Sequence, residues 1–161
     1  MSFNNINTTL RSERGFTIVE LLIVIVVIGI LAAITIVSFN GVTAKANTTS
    51  AQAAANATIK KSEAYNAEKS RYPITSSELT GAAQTDSFNL NGVNFTAGVA
   101  TPDSSNGKNT VLFLKCAASG STQASITATN ITGVRIVYYD FSQKTTVNLD
   151  TGAATSCPTA A

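Results

Sequence analysis

Apolar and polar positions are distributed very unevenly along this chain. Residues 16–39 form an almost wholly apolar run, and from residue 21 to residue 44 no side chain is charged. A bilayer core is crossed by about 20 apolar residues of helix, so the run is long enough to span one. The apolar region of a cleavable secretory signal is shorter, about 7–15 residues, and is followed by its small-residue cleavage site. Here the small residue stands in front: Arg11, Glu13 and Arg14 lead to Gly15, which abuts Phe16. A cut at that junction leaves the hydrophobic helix on the mature protein.

The helical reading continues past the apolar run. No proline occurs before Pro73, and residues 44–67 are dense in alanine with Lys60, Lys61 and Glu63 interspersed, a composition of high helix propensity. One helix to about Ser70 is expected. Its second half shows no clean stripe: Val42, Ala46, Ala53, Ala57, Ile59 and Tyr65 share no single face, and Thr48, Thr49 and Ser50 weaken the pattern further. The alanines read as a close-packing surface against a sheet, with Ile59 and Tyr65 as larger anchors; a soluble spacer helix is the competing reading. Tyr72-Pro73 stops the helix, because a residue before proline avoids the α region. Thr75 or Ser76 with Glu78 would cap a short turn. Residues 81–107 read as loop with a candidate short strand at 93–97, and strands are expected at 110–116, 133–139 and 144–149. These make an antiparallel sheet. Val134, Ile136 and Tyr138 lie on one face of its middle strand, the face for the helix to cover.

Composition narrows the function classes. At 161 residues, 44% hydrophobic and 12% charged, the chain has room for one membrane helix and one small globular domain. A net charge of +2 gives no argument for nucleic acid. The chain has no histidine, which excludes Ser-His-Asp and Cys-His nucleophile arrangements, and no phosphate-binding glycine motif is present. The sequence points to no enzyme, no cofactor and no metal. Glu20 is the single ionisable group in the apolar run. A carboxylate at mid-bilayer costs about 2.5–3.5 kcal/mol on insertion scales, so it calls for a cation or a task. Alternatively, its place one turn from the helix start lets the helix dipole tolerate it.

The stretch Gly15-Phe16-Thr17-Ile18-Val19-Glu20-Leu21-Leu22-Ile23-Val24, behind a short basic leader and ahead of Gly29-Ile30-Leu31-Ala32-Ala33, resembles the prepilin signature of type IV pilins and pseudopilins. The passage around Tyr72-Pro73 resembles, more weakly, the exit from the long helix in that family. The resemblance implies an α+β, pilin-like fold: a long N-terminal helix, its first half transmembrane, its C-terminal half packed against a small antiparallel sheet. It implies a leader at 1–15 cleaved after Gly15 by a prepilin peptidase, with N-methylation of Phe16. Residues 16–39 become the transmembrane and filament-core helix, 40–71 its continuation and 72–161 a β-rich globular domain.

It further implies that Glu20 meets the N-terminal ammonium of Phe16 in a neighbouring subunit during assembly into a homopolymer. The implied partners are the peptidase, an assembly platform protein, an assembly ATPase acting indirectly, and membrane lipid before assembly. Basic residues ahead of the span favour a cytoplasmic leader and an outward C-terminus. Adhesion, twitching motility or DNA uptake are the pilus roles; a secretion or competence pseudopilin is the alternative within the class, and a non-polymerising membrane-anchored binding protein the alternative outside it. On the outward side Cys116 and Cys157 stand where disulfides persist, and their pairing resembles the bounded terminal loop of many type IV pilins; two buried free thiols are the other reading. Asp140 with Asp150 is the only candidate for the calcium site of some major pseudopilins. Many type IV pilins carry a helix-bending proline where this chain has Val37, so Gly29 is left as the helix-weakening residue of the apolar run.

Overall fold

A computed structural model describes residues 15–81, 86–96, 98, 100–117, 120–153 and 157–158; the expected leader therefore lies outside the described residues, Gly15 excepted. The element order is α1 (Ile18–Lys69), α2 (Ser77–Thr80), β1 (Asn94–Phe95), β2 (Thr110–Cys116), β3 (Gly133–Asp140) and β4 (Thr145–Gly152). The chain divides into two compact units, Met1–Asn40 and Gly41–Ala161. In the first, every described residue is exposed. Among the described residues one helix, α1, is long and apolar enough to cross a membrane.

In the second unit the hidden stripe of α1 is Thr48, Ala51, Ala54, Ala55, Thr58, Ser62 and Tyr65. Steps of three and four residues place these side chains on one helix face. The stripe escapes a hydrophobicity count because three of its members are threonine or serine. Thr58 Oγ1 donates to the Ala54 carbonyl at 2.9 Å and Ser62 Oγ to the Thr58 carbonyl at 2.9 Å. These two hydroxyls are thus satisfied within the helix, and that of Thr48 donates to Asp140 Oδ1 at 2.9 Å, so all three are buried without an orphaned polar group. Of the positions singled out from the sequence, Val42, Ala46 and Ala53 are exposed, Ala57 and Ile59 are half-buried, and Tyr65 is buried.

The small side chains let the sheet come close. Ala51, Ala54 and Ala55 pack with Val111, Ile136 and Tyr138, and Ile59, Phe113 and Val147 flank them. A second cluster, Tyr65 with Leu79, Phe88 and Leu90, extends the core along the helix. The opposite face of the sheet buries Leu112, Leu114 and Val137. The sheet has the order β1-β2-β3-β4. The three strands expected to be antiparallel, β2, β3 and β4, are antiparallel neighbours; β1 adds parallel to β2, with Asn94 opposite Thr110, so the four-stranded sheet is mixed. β1 and β2 run the same way because the intervening residues double back before β2 begins, a connection no two-residue hairpin allows.

The end of α1 is set by backbone geometry before the proline acts. Ser70 takes a left-handed φ of 56°, closing the helix, and Tyr72 and Pro73 are then buried. Ser76 offers α2 no side-chain cap, contrary to expectation. The carboxylate of Glu78 turns back instead and accepts the Ile74 amide at 2.6 Å. At the far end of the β3–β4 ladder, Gly133 faces Gly152. A Cβ on Gly133 collides with the Thr151 carbonyl, and one on Gly152, whose φ is +76°, runs into the Thr132 carbonyl and the Tyr72 ring. Gly133→Ala is expected to cost on the order of 3 kcal/mol through overpacking, read as a lowered thermal midpoint.

Candidate processing and assembly segment

The N-terminal segment is built from three residues outside any helix or strand, Gly15, Phe16 and Thr17, followed by the start of α1. Phe16 is 88% exposed, and a Cβ on Gly15 would meet nothing within 4 Å. Both residues at this junction are thus exposed.

Thr17 and Glu20 then start the helix reciprocally. The Glu20 amide donates to Thr17 Oγ1 at 3.2 Å, while Glu20 Oε2 accepts the Thr17 amide at 2.9 Å and its hydroxyl at 2.8 Å. This is a capping box, in which the first and fourth residues satisfy each other's orphan donors. The acid of the apolar run has a local task, and only one of its two oxygens performs it. Glu20 Oε1 has no hydrogen-bond partner among the described residues, so it remains able to accept from a cation.

Beyond Glu20 the helix offers one continuous apolar surface. Leu21, Ile25, Leu31 and Ile34 are each more than half exposed. From Ile18, where α1 begins, to residue 39 the helix is about 33 Å long, against a hydrocarbon core of about 30 Å. Gly29 has open space where its side chain would be, and Thr35 Oγ1 donates to the Ala32 carbonyl at 2.9 Å. Neither residue interrupts α1.

The globular unit holds its polar groups in structural pairs. Glu78 accepts from Tyr65 Oη at 2.9 Å and from Arg71 Nη2 at 2.6 Å as well as from Ile74, and the Arg71 guanidinium lies 5.1 Å over the Tyr65 ring. Burial pushes the Glu78 carboxyl up, but Arg71, the Ile74 amide and the Tyr65 hydroxyl together outweigh it and hold the carboxyl below its ordinary 4.5. With the folded value depressed, the stabilisation is fully present above pH 4.5 and is lost as pH falls through the folded value. Thermal midpoints measured on either side of pH 4.5 are expected to fall on acidification, and Glu78→Gln to flatten that part of the decline.

Asp140 and Asp150 are not brought together. Asp140 lies opposite Thr145 and Asp150 opposite Arg135 in the β3–β4 register. Asp140 Oδ1 accepts from Thr48 and from the Ser142 and Gln143 amides, and Asp150 is engaged by both Nε and Nη2 of Arg135. The calcium candidate is thereby corrected: each carboxylate already has partners, at separate places on the sheet.

Cys116 and Cys157 form a disulfide across 41 residues, with Cys116 fully buried at the end of β2. A residue that the sequence did not single out supports it. Gln123 accepts the Lys115 amide through Oε1 at 2.9 Å, and its Nε2 donates to the carbonyls of Lys115 at 2.8 Å and Pro158 at 2.9 Å. Its amide thus clamps the neighbour of one cysteine to the neighbour of the other. A glutamine in a polar loop carries no sequence signal of that role.

With this geometry in place, comparison with known proteins bears on part of the chain. Residues 10–36 match the family model described as the prokaryotic N-terminal methylation motif. The chain is 35% identical over 69 residues to the type II secretion system core protein G of Dickeya chrysanthemi, covering 43% of this chain and 45% of that protein. It is 37% identical over 70 residues to the type IV wide pilus major component PilA4 of Thermus thermophilus, covering 44% of this chain and 53% of that protein. The chain thus spans about half the length of the curated relatives it matches. No solved structure matches it.

Proposed function

We propose that this chain is a structural subunit of a type IV pilus or related filament, made as a single-pass precursor in the cytoplasmic membrane and polymerised through its apolar helix. The observation that carries the reading is the pairing of an N-terminal methylation motif over residues 10–36 with an apolar helical surface left exposed. Such a surface demands lipid or other apolar helices around it. Lipid serves before assembly; sister helices serve after it, with the cell surface as the filament's destination.

In this reading a prepilin peptidase cuts between Gly15 and Phe16 and methylates the new amino terminus. The ammonium on Phe16 then becomes a partner for Glu20 of an adjacent subunit. A slipped register would leave both charges unpaired in an apolar core, which is far more costly than the paired arrangement. The assembly platform protein and, indirectly, the assembly ATPase supply the machinery, and the chain itself catalyses no reaction. Mass spectrometry of the purified surface protein tests the reading: a chain beginning at methylated Phe16 is expected, and retention of residues 1–15 on the surface protein supports a plain membrane anchor instead.

Glu20→Ala is expected to leave membrane insertion intact and to reduce fibre yield at least about tenfold, if the lost pairing is worth 1.4 kcal/mol or more per subunit contact. Unchanged yield, quantified from sheared filaments, would dismiss the charge pairing and leave Glu20 only its capping role. The similarity to a secretion-system core protein favours a second reading within the same class, a pseudopilin of a short secretion filament. Electron microscopy separates the two, since long surface fibres lost on deletion are expected only of the pilus subunit.

A further inference from the structure

We propose that Asn91 is a site of spontaneous deamidation, selected by the fold from three chemically identical dipeptides. Asn-Gly occurs at 40–41, 91–92 and 106–107. In the reaction the deprotonated Gly92 amide nitrogen attacks Asn91 Cγ, the bond from Cγ to the side-chain nitrogen breaks, and ammonia leaves a five-membered succinimide. Water then opens either ring carbonyl, giving aspartate or isoaspartate at position 91. One water enters and one ammonia departs, with no change of oxidation state.

Such an intramolecular step depends on reaching a near-attack geometry, with the reacting atoms about 3–3.5 Å apart. The backbone must turn freely, the attacking N–H must be free of other bonds, and the side chain must be able to swing. Asn40 and Gly41 lie inside α1, where the helix holds the backbone and engages the Gly41 amide. Asn106 is held in a turn: its Oδ1 accepts the Asp103 amide at 2.9 Å, and its own amide donates to Asp103 Oδ1 at 3.2 Å.

Asn91 and Gly92 meet the last two conditions; for the first, they lie outside any helix or strand, although the Gly92 carbonyl accepts from Asn109 Nδ2 at 3.3 Å. Both are exposed, the Asn91 side chain and the Gly92 amide have no hydrogen-bond partner among the described residues, and nothing lies within 4 Å of a Cβ built on Gly92. Gly92 has a left-handed φ of 76°, a region it visits at no steric cost.

The loop is anchored closely on both sides, so the change is transmitted. Leu90 is buried and its amide donates to the Leu79 carbonyl at 2.9 Å, while the Asn94 amide donates to Asn109 at 2.9 Å. Val93, between these anchors, packs on both helix-facing clusters. Isoaspartate adds a methylene to the backbone and must displace Val93 or the start of β1; either product adds a negative charge.

The test incubates the purified full-length chain, folded in detergent, in mildly alkaline buffer, and follows each site by fragmentation mass spectrometry. Amide loss at Asn91 is expected to run about tenfold or more ahead of loss at Asn40 and Asn106 in the folded chain. In urea the three rates should converge, and Asn91→Gln should yield no acid at that position. Equal rates at Asn91 and Asn106 in the folded chain overturn the proposal, as does an intact Asn91 over a period in which the urea-unfolded chain has converted.

Discussion

Replacing Gly15 with leucine is expected to abolish production of the mature subunit: the protein accumulates in the membrane with residues 1–15 attached, and no filaments form. The described residues offer no steric obstacle to the substitution at its first atom, because a Cβ on Gly15 meets nothing within 4 Å and the residue precedes the first turn of α1. The defect would therefore lie in recognition by the peptidase. Retaining the leader also keeps Arg11, Glu13 and Arg14 beside the apolar helix. Drawing Arg11 or Arg14 into an apolar core costs about 2.5–3.5 kcal/mol each on insertion scales, enough to oppose polymerisation. Gel mobility with N-terminal mass spectrometry checks the outcome, and normal cleavage of the variant would move the junction elsewhere.

Removing the disulfide is the second large effect. Cys116→Ser with Cys157→Ser releases a loop of 41 residues, which in the chain-entropy account is worth about 4 kcal/mol of stability. That is a large share of the roughly 5–15 kcal/mol that separates folded from unfolded small domains. The loss is expected in denaturant unfolding of the otherwise unchanged chain and, for the native protein, on adding reductant. Gln123→Ala should bring part of the same loss, because its amide holds Lys115 and Pro158 whether or not the sulfurs are joined. If the double serine variant unfolds at the native denaturant midpoint, the C-terminal segment is held by other contacts.

Some of this protein was legible because its signal is local. The apolar run of residues 16–39, Gly15 before Phe16, and the strands at Thr110–Cys116 and Gly133–Asp140 all announce themselves by composition and alternation. The helix face behind the sheet did not. Thr48, Thr58 and Ser62 look like breaks in a hydrophobic stripe, and only helical geometry shows that the hydroxyls of Thr58 and Ser62 reach their own backbone. Glu78 posed a related difficulty. Read as a cap for a short turn, it gathers Tyr65 from the end of α1 and Arg71 and Ile74 from the turn that follows.

The sequence by itself determined that a long helix with an unsheltered apolar half leads into a small sheet, because helix propensity and hydrophobic runs act between near neighbours. Only the tertiary structure decided that β1 joins parallel to β2, that Asp140 and Asp150 serve separate partners, and that Gly133 and Gly152 must stay without side chains. Those outcomes depend on which distant segments come within a few ångströms of each other. Residue type alone does not encode that distance; the packing of α1 against the sheet in the globular unit does.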